Sequence, residues 1–220
     1  MARPVLVFDV NETLLDIRPL EPLFARWFED AGAMRRWFAQ MVLYSQSLTL
    51  AGRYMPFGSI ASDVLGMLAA IEDRALPQGA ASDLKAATTQ LPAHGDVEDG
   101  LAFLQEQGFR LVTLTNSDSD TQAEQLSNAG IARFFEAQFS VDSVEQFKPA
   151  AATYRHVATS MQVDMSRLAM IACHSWDLLG AAAAGMQPVF IRRDGNSQPG
   201  FASAGVREID RIDQLAALDW

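Results

Sequence analysis

Five short apolar runs constrain the fold of this chain more than any other feature: "PVLVFDV" at 4–10, "RLVTLTN" at 110–116, "FSVDSV" at 139–144, "LAMIACH" at 168–174 and "PVFIRR" at 188–193. Rich in Val, Ile, Leu and Phe, they read as strands buried on both faces. Helical patterns lie between them: "DVEDGLAFLQEQG" closing at Gly108, "DTQAEQLSNAG" closing at Gly130, and "PAAATYRHVATSM" opening with Pro149. Proline in the first turn and glycine after the last are helix start and stop signals. Strand and helix in alternation predict an α/β fold, a Rossmann-like doubly wound parallel sheet with right-handed crossovers.

One connection breaks the alternation. From the end of the first strand to the helix near Asp96, the sequence reads almost entirely as helix, in "PLEPLFARWFEDAG", "MRRWFAQMVLYSQSL", "GSIASDVLGMLAAIED" and "ASDLKAATTQL". A connection of that length needs packed structure of its own. Residues 1–15 and 93–220 are therefore expected to form the core, and residues 16–92 an inserted helical cap subdomain over the carboxyl ends of the strands, where ligands of open α/β sheets bind. The aromatics of "RWFED" and "RRWFAQ" either pack that lobe or form a homodimer interface.

Charge and composition exclude several classes. A formal net charge of -10 with no basic run argues against nucleic acid and acidic membrane surfaces as partners. A small anionic substrate would need a local cationic pocket, because the global field opposes its approach. With no signal pattern at "MARPVLVFDV" and no span-length apolar stretch, the chain is expected in the cytoplasm. A lone Cys173 rules out internal disulfides, and His94, His156 and His174 are too far apart in sequence for a local metal motif.

The predicted strand ends carry the chemistry. Asp9 and Asn11 follow the first strand, Thr115 and Asn116 the second, Lys148 the third, and His174, Trp176 and Asp177 the fourth. Asp9 alone would read as a turn aspartate; with Lys148 and Asp177 at matching strand ends it reads as a site carboxylate, with the N–H groups of Val10 and Asn11 available to an anion.

"FDVNETLLD", "LTNSD", "FKPAAATY" and "CHSWDLLGAAAAG", in that order, resemble the four motifs of the haloacid dehalogenase superfamily, and most closely its L-2-haloacid dehalogenases; "YSQSLTLAGRY" resembles a segment of their cap. The resemblance implies a nucleophilic Asp9, an aspartyl-ester intermediate resolved by water, and hydrolysis of small 2-haloalkanoic acids to 2-hydroxy acids. No cofactor and no metal are implied. The phosphatase branch carries a second aspartate two places after the nucleophile to protonate the leaving alkoxide. Asn11 cannot supply that proton, and a departing halide does not need it. Asn11 is equally suited to an unusual turn conformation.

In this frame Lys148 keeps Asp9 ionised, Thr115 and Asn116 face the substrate carboxylate, and Asp177 positions or activates water. His174, where the dehalogenase pattern has asparagine, is either a base for ester hydrolysis or a pocket wall, and Trp176 either lines the pocket or packs beneath the cap. The cap arginine that receives the halide in the dehalogenases falls at Leu48. Arg53 should face away, and Arg18 is the candidate substitute. Two rival readings are a magnesium-dependent phosphatase of the same superfamily and a weakly catalytic member that binds an anionic metabolite or partner.

Overall fold

The computed structural model describes residues 3–220. Six parallel strands form one sheet: β1 (Val5–Phe8), β2 (Arg110–Thr115), β3 (Ala137–Ser140), β4 (Leu168–Ala172), β5 (Gln187–Ile191) and β6 (Arg207–Ile209). Their order is β3-β2-β1-β4-β5-β6. Val7 of β1 lies opposite Val112 on one side and Met170 on the other. Every residue of β1 and β4 is buried, as sheet faces covered by helices on both sides require. The strand order reverses between β1 and β4, which opens a crevice at their carboxyl ends. Asp9 and His174 follow those two strands and are placed there.

Helices α5 (Val97–Glu106), α6 (Ser119–Asn128), α7 (Ala151–Met161) and α8 (Ser175–Ala184) connect the strands. The Asp118 side chain caps α6 by accepting from the Thr121 N–H. Gly185 ends α8 with φ 98°, a left-handed conformation that glycine adopts without steric cost. Three details differ from the sequence reading. The "FSVDSV" strand stops at Ser140, because the Ser140 hydroxyl accepts from the Asp142 N–H and turns 141–143 into a 3₁₀ helix. The Lys148–Pro149 peptide is cis and α7 begins at Ala151, past the proline. The sixth strand, "REI", carries one apolar residue and so has no alternation to read.

Between β1 and α5 the chain forms α1 (Glu21–Phe28), α2 (Ala33–Leu50), α3 (Phe57–Ile71) and α4 (Ala80–Thr89). It enters and leaves this insertion side by side: the Asp16 N–H donates to the Pro92 carbonyl at 2.8 Å and the His94 N–H to the Leu14 carbonyl at 2.9 Å. Phe24 meets Trp27, Phe28 and Trp37 with ring centroids 5.7, 5.9 and 5.2 Å away. All four rings are buried. Trp27, Phe28 and Trp37 of the two quoted segments thus pack the inside of the insertion. Among the described residues no helix is long and apolar enough to cross a membrane.

Candidate active site

Asp9 sits one residue past β1, and its carboxylate is enclosed by donors. Lys148 Nζ donates to Asp9 Oδ1 at 2.8 Å, while Oδ2 accepts from the Thr13 hydroxyl at 2.7 Å and lies 3.0 Å from His174 Nδ1. Burial by itself would favour the neutral acid, but Lys148 and His174 outweigh it and hold the Asp9 carboxyl far below the usual carboxylate range. The nucleophile candidate is thus ionised. Lys148, fully buried, also donates to Asp177 Oδ2 at 2.7 Å and to the Leu114 carbonyl at 2.9 Å. Burial opposes its charge, yet Asp177 and Asp9 raise its pKa and keep it an ammonium.

Asp177, in the first turn of α8, accepts from the Tyr154 hydroxyl at 2.7 Å as well as from Lys148. Its pKa is raised: burial leads, Lys148 opposes it, and the neighbouring charge of Asp9 adds to the rise. A carboxylate with increased proton affinity therefore stands on the Oδ1 side of an ionised one, with Lys148 between them.

On the Oδ2 side stands a group the sequence reading did not assemble. His174 Nε2 lies 2.9 Å from Glu12 Oε2, so the ring bridges two carboxylates. It is sandwiched between Phe38 and Trp176, with centroids 5.7 and 5.2 Å away. Burial would drive the proton off, but the Cys173 sulfur and the Asp9 and Glu12 carboxylates around the ring hold its pKa well above the ordinary imidazole value. Both N–H groups are directed at carboxylates, the arrangement of an ion-pair bridge. Glu12 is buried with φ 63°, a left-handed conformation unusual for a residue with a Cβ. That turn places its carboxylate within reach of His174. Arg35 of α2 ion-pairs with Glu12 from the insertion, and Asn196 donates to it at 3.1 Å. Burial favours the neutral form of Glu12, but His174 and Arg35 prevail and lower its pKa.

The remaining candidates divide. Asn11 is held by two contacts, its Nδ2 donating to Ser117 Oγ at 3.2 Å and its Oδ1 accepting from Gln125 at 3.1 Å. Among the described residues no hydrogen bond engages the N–H groups of Val10 or Asn11. Thr115 and Asn116 do not face open space. The Thr115 hydroxyl accepts from the Ser117 N–H, and Asn116 Oδ1 accepts from the Lys148 N–H at 3.0 Å, so both brace the strand ends. Ser117, one residue further on, reaches the cavity instead. Trp176 is half-buried and walls the site beside His174, with Lys148 Nζ 5.9 Å from its ring.

Arg18 does not enter the crevice. Its side chain is 49% exposed and pairs with Asp16 and Asp194, since the short "DIRP" segment turns it outward before α1. Leu48 packs near the far end of α2, while Phe38, ten residues earlier, is the α2 side chain that contacts His174. Leu48 therefore does not stand at the site: the α2 side chains that reach it are Phe38, on the His174 ring, and Arg35, paired with Glu12. Glu12 and Thr13 lie within the quoted first motif, and the four-residue spacing from Asp9 to Thr13 was the available signal. Tyr154 likewise closes the quoted third motif, "FKPAAATY", whereas Phe38 had no signal beyond ordinary amphipathic patterning.

A divalent cation shared by Asp9 and Asp177 does not fit this donor set. The Lys148 ammonium already stands 2.8 Å from one carboxylate and 2.7 Å from the other, and their second oxygens accept from the Thr13 and Tyr154 hydroxyls. Among the described residues no group of three His, Cys, Asp or Glu assembles that could hold a metal.

Comparison with known proteins bears on this geometry. The family model "haloacid dehalogenase-like hydrolase" matches residues 4–185. The chain is 27% identical over 221 residues to (S)-2-haloacid dehalogenase 1 of Pseudomonas sp. (strain CBS-3), covering 96% of this chain and 94% of that one. It is 32% identical over 124 residues to the plasmid phosphoglycolate phosphatase of Cupriavidus necator, covering 56% of this chain and 53% of that one. The structure of L-2-haloacid dehalogenase from Xanthobacter autotrophicus superposes with a TM-score of 0.89 at 20% identity, covering 98% of both chains.

Proposed function

Because the chain belongs to the haloacid dehalogenase-like hydrolases, we propose that it hydrolyses the carbon–halogen bond of 2-haloalkanoic acids, giving 2-hydroxy acids through an ester on Asp9. An Asp9 oxygen attacks C2 on the side opposite the halogen, and the carbon–halogen electron pair leaves with the halide. Water then adds to the Asp9 carboxyl carbon, the acyl–oxygen bond breaks, and the product carries away the original aspartate oxygen. Asp9 keeps the oxygen of water. Halide and one proton are released overall.

One observation carries the reading: an ionised Asp9 is held by Lys148 at 2.8 Å, while a carboxamide, fixed by Ser117 and Gln125, stands two residues on. Asn11 cannot protonate a leaving group, and both His174 N–H groups face carboxylates. Such a site suits a leaving group that departs as a stable anion. Esterification removes the Asp9 charge, leaving His174 with Glu12 as its carboxylate partner and Lys148 with Asp177. Asp177, on the Oδ1 side and with raised proton affinity, is the group that takes the proton from water, while His174 keeps both of its protons and stays paired with Glu12.

The partial likeness to a phosphoglycolate phosphatase favours a second reading, phosphate-ester hydrolysis on the same nucleophile. The absence of an acid at position 11 counts against it. Single turnover in ¹⁸O-labelled water separates the outcomes. Unlabelled 2-hydroxy acid on the first cycle, with label entering Asp9, is expected. Label in the first-cycle product, or phosphate release with no halide released from any 2-haloacid, overturns the reading.

A further inference from the structure

The insertion and the core enclose a cavity of about 550 Å³. Trp37, Phe38 and Met41 of α2, Phe57 of α3 and Leu84 of α4 form its apolar walls, and one end reaches Asn11, two residues past Asp9, and its partner Ser117. Cavities of ~300–1,000 Å³ enclose drug-sized ligands. A 2-chloropropionate, about as bulky as four waters at roughly 30 Å³ each, would fill about a fifth of this one. The space is kept open where α3 faces it with small residues: an added Cβ at Gly58 would meet no atom within 4 Å.

We propose that the preferred substrates are 2-haloacids carrying an uncharged apolar tail of about four or more carbons, or an aryl ring, with the reacting end at Asp9 and the tail between α2, α3 and α4. The inference rests on the dehalogenase reading for the reacting end alone. Three aromatic rings in the wall suit an aryl tail. Asp118, Asp120 and Glu124 on the core-side rim outnumber Lys85 of α4, the one cation among the described lining residues, and disfavour a second anionic group.

The test compares kcat/KM for halide release from 2-bromopropionate, 2-bromohexanoate and 2-bromo-3-phenylpropionate. Each buried methylene is worth about fourfold (about 0.8 kcal/mol), so at least about a tenfold preference for the longer acids is expected. Gly58→Phe directs a ring into the cavity from the first turn of α3 and should collapse that ratio toward one; Ser62→Trp, from the same helix, should do likewise. Rates that stay flat or fall with tail size in the unmodified protein, or a ratio that neither substitution moves, overturn the proposal. Calorimetric affinities for 3-phenyllactate and 2-hydroxyhexanoate against lactate test the cavity without turnover. If no 2-haloacid releases halide yet the longer hydroxy acids bind at least about tenfold tighter, the dehalogenase reading fails and the cavity assignment stands; equal affinities overturn the cavity assignment itself.

Discussion

Lys148 concentrates the electrostatics of the site in one side chain. It is fully buried, it neutralises Asp9 and Asp177 together, and Lys148→Met would leave two carboxylates facing each other without a cation. Removing one partner of such a buried network costs about 3–5 kcal/mol, which urea denaturation should register alongside loss of turnover. His174 behaves in the opposite pH sense from Asp9. Its folded pKa is raised, so its contribution to stability is complete below the unfolded value of 6.5 and is lost as pH rises through the folded value. Asp9, with a depressed pKa, contributes above 3.8, and that contribution is lost only as pH falls through its folded value. Thermal melting from pH 6.5 upward should therefore show a decline that His174→Asn removes; the groups facing the ring are Asp9, Glu12 and Cys173, with Arg35 behind Glu12. A variant with the same alkaline slope would reject the ion-pair bridge.

The packing of α8 against the start of α7 sets the catalytic geometry at the scale of elements. A Cβ at Gly180 would come within 2.4 Å of Pro149 Cβ and 2.8 Å of the Tyr154 hydroxyl oxygen, so this contact admits no side chain. Pro149 follows Lys148, and Tyr154 holds Asp177 at 2.7 Å. Gly180→Ala should destabilise the fold by about 1–3 kcal/mol through overpacking and lower kcat as well, because relief of the clash displaces Tyr154 or the Lys148–Pro149 segment. Unchanged halide release in a measurably destabilised variant would separate packing from site geometry. Elements of this kind were legible in "FKPAAATY" and "CHSWDLLG" as a helix start and a strand end. Their contact was not, since residues 149 and 180 meet only after β4 has crossed between them. The 3₁₀ turn after β3 escaped for a different reason: a serine side chain outcompeted the β-propensity of Val141 and Val144.

Across the whole molecule, a charge of -10 opposes any anionic acid approaching the crevice. Because the Debye length shortens from about 30 Å at 0.01 M salt to about 8 Å at 0.15 M, kcat/KM should rise about twofold over that range; a fall would show that local cations such as Lys85 and Arg35 dominate the encounter. The insertion and core are joined by Arg35 with Glu12 at the crevice and by Arg18 with Asp194 on the exposed surface, contacts between segments far apart in the chain. By itself the sequence determined the doubly wound sheet, the long helical insertion, and the placement of Asp9, Lys148 and Asp177 at neighbouring strand ends. Buried parallel strands are written as local apolar runs, and their topology fixes which ends converge. Only the tertiary structure decided what surrounds Asp9: the left-handed turn that directs Glu12 at His174, the outward course of Arg18, and the presence of Phe38 where Leu48 had been expected. Those outcomes depend on side-chain packing between segments up to 184 residues apart, for which no local pattern in the sequence carries a signal.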